Sequence, residues 1–310
     1  QKGLFFVVDK KNGDVLLKKK TNLSVSAGFA TDGSRLFLAT WNGELVCLDL
    51  NGKELWRSAI ASEILAEPVV EGGTVVVQSA DGDIHALGVS DGKKLWRHDV
   101  VQPVLTVRGS AVPLLVGGRV LVGLASGKVV SLNTANGLPV WERTVSAPEG
   151  HSELDRLVDI KGALVADGWR CFGVSYQGKV FSLDMRSGAL IWQERFSGLN
   201  GLSLDAGQLF LSESTGNVAA FEAEAGAPIW RQKQLGYRGL TQPMVETDAV
   251  VVGDMLGYLH WLSKKDGSFL ARVKVDGDGI AAPVLIDSGM IYAFGKSGKL
   301  VAYRREVSSH

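Results

Sequence analysis

Hydrophobic and polar residues alternate with a period of two in short runs that are separated by glycine-bearing turns. The clearest case is QGKVFSLDMRSGALIW at 177–192, where one alternating run leads through Asp184 and Gly188 into a second run that ends at Trp192. Alternation on both sides of such a turn is typical of a β-hairpin. Similar segments recur at 5–17, 42–56, 81–96, 126–141, 215–230, 256–271 and 297–306. Strand signals that recur with a period of roughly 40–45 residues predict a radial array of small sheets.

Each full repeat contains four short apolar runs, which we label strands A to D. In the repeat around Gly82 these runs span 66–71, 74–79, 84–88 and 94–98. The turns between them contain Gly-Gly or Asp-Gly pairs, which suit hairpins because they tolerate positive φ. No segment shows a helical period, so the pattern predicts an all-β chain. Repeated four-stranded antiparallel units without helices are typical of a β-propeller.

The number of strands of each kind bears on the number of blades. Strand C recurs eight times, whereas strands A, B and D recur seven times each. The chain begins at a C strand, residues 4–8, and ends at one, residues 299–304. We therefore predict an eight-bladed β-propeller of four-stranded antiparallel blades whose first blade is incomplete, and we expect a stretch ahead of Gln1 to supply the last D strand. A seven-bladed ring is the alternative. In either case residues 1–310 are expected to form a single propeller domain.

Tryptophan occupies the same position of strand D in five repeats. These residues are Trp56, Trp96, Trp141, Trp192 and Trp230. Strand D is the outer strand of a blade, where an uncovered edge is a liability. A Trp there can bury about 150–250 Å² against the neighbouring blade, and the glycine four residues earlier leaves room for a close approach. We expect the five to be structural, blade-docking side chains. Leu17 and Ala271 stand at this position in two other repeats, where docking should be weakest.

Composition narrows the classes of function. The 310 residues are 45% hydrophobic and 21% charged, which is enough for a large core, and the formal net charge is zero. That balance removes the electrostatic basis for nucleic-acid binding. No apolar run is long enough to predict a membrane span, and no secretory leader is expected because Gln1 leads directly into a strand. The two cysteines, Cys47 and Cys171, are interpreted as buried strand residues, with a disulfide as the alternative.

Two connectors between a strand D and the next strand A are longer than the others. They contain residues 105–113 and 152–162 and belong to consecutive repeats. Equivalent connectors of a propeller emerge on the same rim, so we expect these two to be neighbours. Long connectors in a compact array are usually functional. The sequence therefore indicates a candidate partner-binding site on this rim.

The residue types in the two connectors suit a protein interface. The first offers apolar Leu105 and Val107 beside the cation Arg108, a composition typical of interface hot spots. The second offers Glu153, Asp155, Arg156 and Asp159. Two purely structural alternatives stay open. Leu105 and Val107 could pack beneath their own loop, and Arg108 could form a local ion pair with Asp155 or Asp159.

The Gly, Leu-Asp, Gly and Trp pattern of the repeat resembles that of quinoprotein-like propellers. Three stretches outside the generic repeat narrow the resemblance. They are LTVRGSAVP at 105–113, SELDRLVDIKG at 152–162 and VVGDMLGYLHWLSKKDG at 251–267. With the order of the repeats, they resemble the BamB family, periplasmic lipoproteins of the machinery that inserts β-barrel proteins into the bacterial outer membrane. Fold resemblance alone would not indicate a function.

The resemblance implies an eight-bladed propeller with no catalytic activity and no cofactor. It implies a scaffold subunit on the periplasmic side of the outer membrane, anchored by a lipid on a cysteine ahead of Gln1 and monomeric outside its complex. The partner would be the POTRA domains of BamA, with unfolded barrel precursors as possible clients. The family docks through a Leu-x-Leu-Arg stretch, matched by Leu105, Val107 and Arg108, and through an acidic stretch, matched by Asp159. Lys161 stands at the last acidic position of that stretch and reverses its charge.

Two other functions are weighed against this one. A quinone-dependent dehydrogenase would share the superfamily fold, but the adjacent Cys-Cys pair of that class is absent. A general interaction propeller of the WD or kelch type is the second alternative, and the Trp-Asp dipeptide is absent. The histidines are scattered across repeats, so no catalytic group, metal site or cofactor is predicted. They are His85, His98, His151, His260 and His310.

Overall fold

A computed structural model describes residues 3–60, 62–198, 200–280 and 282–304, which form 29 β-strands joined by turns and loops. Among these residues there is no helix of the length and apolarity that crossing a lipid bilayer requires. The chain divides into two compact units. The first comprises residues 1–144 and 150–161, and the second comprises 145–149 and 162–310. The prediction of a single domain stays a prediction.

The first unit contains one two-stranded hairpin and three four-stranded antiparallel sheets. The hairpin consists of β1 (Leu4–Val8) and β2 (Val15–Lys20). The first sheet consists of β3 (Val25–Thr31), β4 (Arg35–Thr40), β5 (Glu44–Asp49) and β6 (Glu54–Ala59). The second consists of β7 (Val69–Glu71), β8 (Thr74–Gln78), β9 (Ile84–Gly88) and β10 (Lys94–His98). The third consists of β11 (Leu114–Val116), β12 (Arg119–Gly123), β13 (Lys128–Asn133) and β14 (Pro139–Thr144).

The second unit contains three four-stranded antiparallel sheets and one three-stranded sheet. The first consists of β15 (Val165–Asp167), β16 (Arg170–Val174), β17 (Lys179–Asp184) and β18 (Leu190–Arg195). The second consists of β19 (Leu202–Asp205), β20 (Gln208–Ser212), β21 (Val218–Glu222) and β22 (Pro228–Gln232). The third consists of β23 (Met244–Glu246), β24 (Ala249–Gly253), β25 (Tyr258–Ser263) and β26 (Phe269–Lys274). The last consists of β27 (Leu285–Asp287), β28 (Met290–Phe294) and β29 (Leu300–Tyr303).

The core of each unit lies between adjacent sheets. The two middle strands of a sheet are buried on both faces, as in β8 and β9, because a neighbouring sheet covers each face. Strands of this kind read as almost continuous apolar runs. The outer strand β10 shows only partial burial, with Trp96 half-buried between exposed neighbours. These differences match the strand types expected from the sequence, and the predicted runs at 84–88 and 94–98 coincide with β9 and β10.

We use the word blade for a sheet of three or more strands. The described residues form seven blades, six with four strands and one with three, so the prediction of eight blades is wrong. The strand count itself was right, because eight strands of type C are present. The error lay in assigning β1 and β2 to a further blade. In the described residues these strands pair only with each other and none of their residues is buried, so the hairpin lacks the covered middle strands that give a blade its core.

Four of the five D-strand tryptophans contact the next sheet of the same unit in one manner. Each half-buried indole donates its Nε1–H to a backbone carbonyl at the end of the neighbouring C strand. The pairs are Trp56 with Val89 at 2.9 Å, Trp96 with Thr134 at 2.7 Å, Trp192 with Ala223 at 3.0 Å and Trp230 with Lys264 at 2.8 Å. Trp141 is also half-buried, in β14. A buried indole N–H needs such an acceptor, so the hydrogen bond fixes the orientation of the ring.

The sheet β23–β26 reverses the usual placement of tryptophan. Its outer strand has Ala271 at the position of the other indoles, and Ala271 pairs with Trp261 on the adjacent strand β25. Trp261 is buried and makes an edge-to-face contact with Tyr303 of β29. Trp261 lies one strand further inward than the D-strand tryptophans, but its indole still packs against the next sheet.

Both cysteines are buried and free, which excludes the disulfide alternative. Burial raises the pKa of the Cys47 thiol to about 11 and that of the Cys171 thiol to about 12. Both therefore stay protonated at neutral pH and act as small apolar side chains.

Candidate functional site

The two long connectors meet in the first unit, as expected from their equivalent positions in consecutive repeats. The backbone N–H of Val107 donates to Oδ1 of Asp159 at 3.0 Å. The ammonium group of Lys161 donates to the backbone carbonyl of Gly109 at 2.7 Å. These two hydrogen bonds hold residues 105–109 against residues 159–161.

Asp159 lies beneath the connectors and not on the surface. Its side chain has no exposed area, and Lys161 Nζ stands 3.6 Å from its Oδ1. Burial raises the pKa of the Asp159 carboxyl, while Lys161 and the Val107 amide oppose that rise. Burial likewise lowers the pKa of the Lys161 ammonium group. Asp159 therefore positions the first connector through the Val107 amide. Lys161 also points inward and holds the same connector through the Gly109 carbonyl.

Arg108 projects from the first connector with 76% of its side chain exposed. Its guanidinium lies 5.6 Å from the ring centroid of Trp41, and Nη2 is 3.8 Å from Oε2 of Glu63. Neither Asp155 nor Asp159 is its ion-pair partner. An exposed pair at this distance contributes little to stability. The cation is therefore held in place by an aromatic face and stays accessible.

The apolar residues of the first connector differ in exposure. Leu105 is 40% exposed, whereas Val107 is half-buried. Val101 and Val104, which precede them in the same connector, are almost fully exposed. We call the exposed residues Trp41, Val101, Val104, Leu105 and Arg108 the connector patch. Exposed apolar side chains in the same connector as a cation held on an aromatic face are typical of a protein-binding surface.

The beginning of the second connector folds on itself. The backbone N–H of Ser152 donates to Oδ2 of Asp155 at 3.2 Å, and the hydroxyl of Ser152 accepts the Asp155 N–H at 3.1 Å. The Ser152 hydrogen bonds lower the pKa of the Asp155 carboxyl. Asp155 and Arg156 are exposed. Their predicted part in partner binding stays a prediction.

Sequence reasoning missed four residues at this site. Trp41 and Glu63 come from loops of other repeats, and Val101 and Val104 precede the stretch that carried the prediction. One signal was available for Trp41, because it stands outside the D-strand position that five of the eight tryptophans share. Nothing in the local pattern indicates Glu63.

One cluster in the described residues has the composition of a metal site. Asp81, Asp83 and His85 bring their ligand atoms within 4.8 Å of one another. The Asp83 carboxylate already binds Arg97 at 2.6 Å and the backbone N–H of Val100 at 2.8 Å. A carboxylate neutralised in this way is a poor ligand, so the cluster supports no metal proposal.

Comparison with known proteins identifies relatives along nearly the whole chain. The family model described as "Outer membrane protein assembly factor BamB" matches residues 2–232 and 214–308. Outer membrane protein assembly factor BamB of Bordetella pertussis is 36% identical over 297 residues, which cover 96% of this chain and 77% of the relative. The protein of that name from Shewanella oneidensis is 33% identical over 288 residues, which cover 93% of this chain and 73% of the relative.

A solved structure agrees with these relatives. The crystal structure of BamB from Moraxella catarrhalis superposes with a TM-score of 0.88 and 29% identity, covering 94% of this chain and 89% of that one. Both the family model and relatives above 30% identity extend over most of the residues. The chain therefore belongs to the BamB family of outer membrane protein assembly factors.

Proposed function

We propose that this protein is a non-enzymatic scaffold subunit of the outer-membrane β-barrel assembly machinery. The connector patch docks on the periplasmic POTRA domains of BamA, and the bound protein aids delivery or insertion of barrel precursors. A position on the periplasmic side of the outer membrane, with an N-terminal lipid as anchor, belongs to the same proposal. Family membership supports the assembly role, and the chemistry of the connector patch supports the docking site.

The observation that carries the docking proposal is the hydrogen bond between Val107 N–H and Asp159 Oδ1. It joins the two longest connectors from below and leaves Leu105 and Arg108 facing outward. A surface organised before binding loses less conformational entropy when the partner docks. Asp159 then contributes to affinity by positioning Val107 and its neighbours, and Arg108 supplies the contact to an acidic group of the partner.

The experiment measures binding of the full chain to an immobilised tandem of POTRA domains by biolayer interferometry. Arg108→Glu should weaken the affinity at least about tenfold, because the reversed charge faces an acidic partner group. Leu105→Asp should weaken it by a similar factor by placing a charge in the apolar part of the connector patch. Both residues are exposed, so the thermal midpoint should stay close to that of the parent protein.

Lys93→Glu gives a matched control. Lys93 is 82% exposed in the first unit and pairs with Asp91 at 2.9 Å. It lies in the turn between β9 and β10, outside the connector patch, and its reversal changes the net charge equally. Affinity unchanged in both Arg108→Glu and Leu105→Asp would refute the docking site. Equal losses in Lys93→Glu and Arg108→Glu would show a general charge effect and would also count against it.

A further inference from the structure

A cavity of about 420 Å³ opens in the second unit, between the segment that follows β22 and the outer strand β26. Its polar wall contains Gln234, Arg238, His260 and Arg272, and its apolar wall contains Phe269 and Leu270. The volume lies within the range of about 300–1,000 Å³ that is usual for small-molecule sites. None of these residues belongs to the connector patch.

Arg272 has no acidic partner in the described residues, unlike the arginines at the same position of other D strands. In two of those strands the cation pairs with an acid at the start of strand C or directly before it. The pairs are Arg57 with Glu44 at 2.7 Å and Arg97 with Asp83 at 2.6 Å. In this sheet the acid is replaced by Tyr258, and the guanidinium lies 5.0 Å from the centroid of its ring. An uncompensated guanidinium on the wall of a cavity attracts an anion.

Lys274 strengthens the positive potential at the same place. Its Nζ stands 4.5 Å from the centroid of the Tyr258 ring and donates to the Leu256 carbonyl. It forms no ion pair with an acid in the part of the chain that the structure describes. Two cations therefore share one aromatic ring, and neither charge is neutralised by the protein.

Arg238, the other cation on the cavity wall, is neutralised by the buried carboxylate of Asp254. Oδ2 of the buried Asp254 accepts from Arg238 Nη1 at 3.0 Å and from His260 Nε2 at 2.9 Å. Its Oδ1 accepts the backbone N–H of Tyr258 at 2.8 Å. The Asp254 carboxylate thus neutralises the charge of Arg238. The same carboxylate accepts a hydrogen bond from His260, which places the His260 proton on Nε2. The Arg272 charge is left for a ligand.

His260 presents an unused hydrogen-bond acceptor. The side chain is only 1% exposed, and its Nδ1 has no partner in the described residues. Burial lowers the pKa of His260, so the ring is neutral at pH 7 and Nδ1 carries a lone pair. An unpaired buried acceptor costs free energy and is expected to be satisfied in a functional site. His260 also stands directly opposite Arg272 in the strand pair β25–β26. Side chains of an opposed pair start about 5 Å apart.

These neighbours define a ligand chemistry. A carboxylate would accept a bidentate pair of hydrogen bonds from Arg272, a donor on the adjacent carbon would bond to His260 Nδ1, and an apolar body would contact Phe269 and Leu270. We propose that this cavity binds a small 2-hydroxycarboxylate with an apolar side chain. The site acts in the second unit and does not depend on docking through the connector patch.

The experiment titrates the full chain with 3-phenyllactate by isothermal titration calorimetry. Binding in the millimolar range or tighter is expected, and Arg272→Gln should reduce the affinity about tenfold or more. Arg231→Gln is the matched control. Arg231 stands at the equivalent position of β22, 3.8 Å from Glu213, and its replacement should leave the affinity unchanged.

Three related probes separate the contributions of the groups. 3-Phenylpropionate lacks the hydroxyl and should bind several-fold more weakly, 3-phenyllactamide lacks the charge and should not bind, and acetate lacks the apolar body and should not bind. Addition of 3-phenyllactate should also shift the ¹⁵N resonance of His260 Nδ1. No such shift is expected if Arg272 only stabilises the fold and the ligand does not enter the cavity. Absence of binding at millimolar concentrations would overturn the proposal, as would equal losses in Arg272→Gln and Arg231→Gln or equal binding of acid and amide.

Discussion

The indole of Trp56 lies directly over Gly92 of the next sheet, where a Cβ would stand 2.4 Å from Cε3 of the ring. The same relationship recurs in Trp96 over Gly137 at 2.6 Å, Trp192 over Gly226 at 2.5 Å and Trp230 over Gly267 at 2.5 Å. Each glycine therefore makes room for the tryptophan of the preceding repeat and not for the residue four positions after it. Gly92 also has a φ of +68°, so two independent requirements select glycine there.

Replacing Gly92 with alanine should destabilise the protein through both requirements. Positive φ costs an alanine about 1–2 kcal/mol, and forcing the indole away from a packed position costs about 1–3 kcal/mol more. Gly118→Ala is the control, because Gly118 has a φ of +74° and no atom within 4 Å of the added Cβ. Urea unfolding should give a clearly larger loss for Gly92→Ala. Equal losses would mean that the indole adapts without cost.

The hydrogen bonds of the indoles predict that Trp56 and Trp230 differ in how much stability is lost when each is replaced by phenylalanine. Trp56 and Trp230 each pack on a phenylalanine ring, at 5.9 Å and 6.1 Å between centroids. The Val89 carbonyl accepts from Trp56 and also from Arg35 at 3.1 Å, whereas the Lys264 carbonyl has no second donor in the described residues. Replacement by phenylalanine should therefore cost about 1 kcal/mol more at Trp230 than at Trp56, because only one carbonyl loses its last donor.

Thermal and urea unfolding of the two phenylalanine variants provide the measurement. Because both substitutions remove a similar part of the ring, the difference between them isolates the acceptor. A loss at Trp56 as large as that at Trp230 would show that Arg35 does not replace the indole as a donor.

Local patterns predicted the strands well because a strand is recognised from its own residues. The runs at 84–88 and 94–98 coincide with β9 and β10, and the strand types were counted correctly. The prediction of the number of blades failed because that number depends on which strands pair with one another. Nothing in residues 4–20 reveals that β1 and β2 pair only with each other in the described part of the chain.

The candidate site shows the same limit. The contact between the connectors was predicted from the period of the repeat, which places equivalent loops side by side. The burial of Asp159 was not, because it depends on Val107 and Lys161 closing over the carboxylate. The partners of Arg108 were also missed, because Trp41 and Glu63 are distant in sequence and belong to loops of other repeats.

The buried His85 should make stability depend on pH. Its Nε2 lies 3.1 Å from the Ser79 hydroxyl, and burial lowers its pKa below the ordinary 6.5. The unfolded chain then binds a proton at a higher pH than the folded protein does. The free energy of unfolding should therefore fall as the pH drops below about 6.5 and continue to fall until the folded pKa is passed, with a slope of at most about 1.4 kcal/mol per pH unit from this group.

His85→Gln should reduce that slope while His151→Gln, a substitution at an exposed position, should leave it unchanged. The His85→Gln variant will keep part of the pH dependence of stability, because burial also lowers the pKa of His260. The measurement is the urea-derived free energy of unfolding at several pH values between about 7 and 5. The same slope in His85→Gln as in the parent protein would contradict the assignment.

The link between Asp159 and Val107 can be tested separately from partner binding. Asp159→Ala removes the acceptor of the Val107 N–H and leaves the half-buried ammonium of Lys161 without its nearest acid, so it should cost about 1–3 kcal/mol of stability. Asp159→Asn keeps an oxygen at the same place and should cost less. Amide hydrogen exchange at Val107 should accelerate strongly in the alanine variant and only slightly in the asparagine variant, because exchange requires the amide to lose its acceptor. If Val107 exchanged at the parental rate in Asp159→Ala, the carboxylate would not be what holds the first connector in place, and the preorganisation on which the docking proposal rests would lose its support.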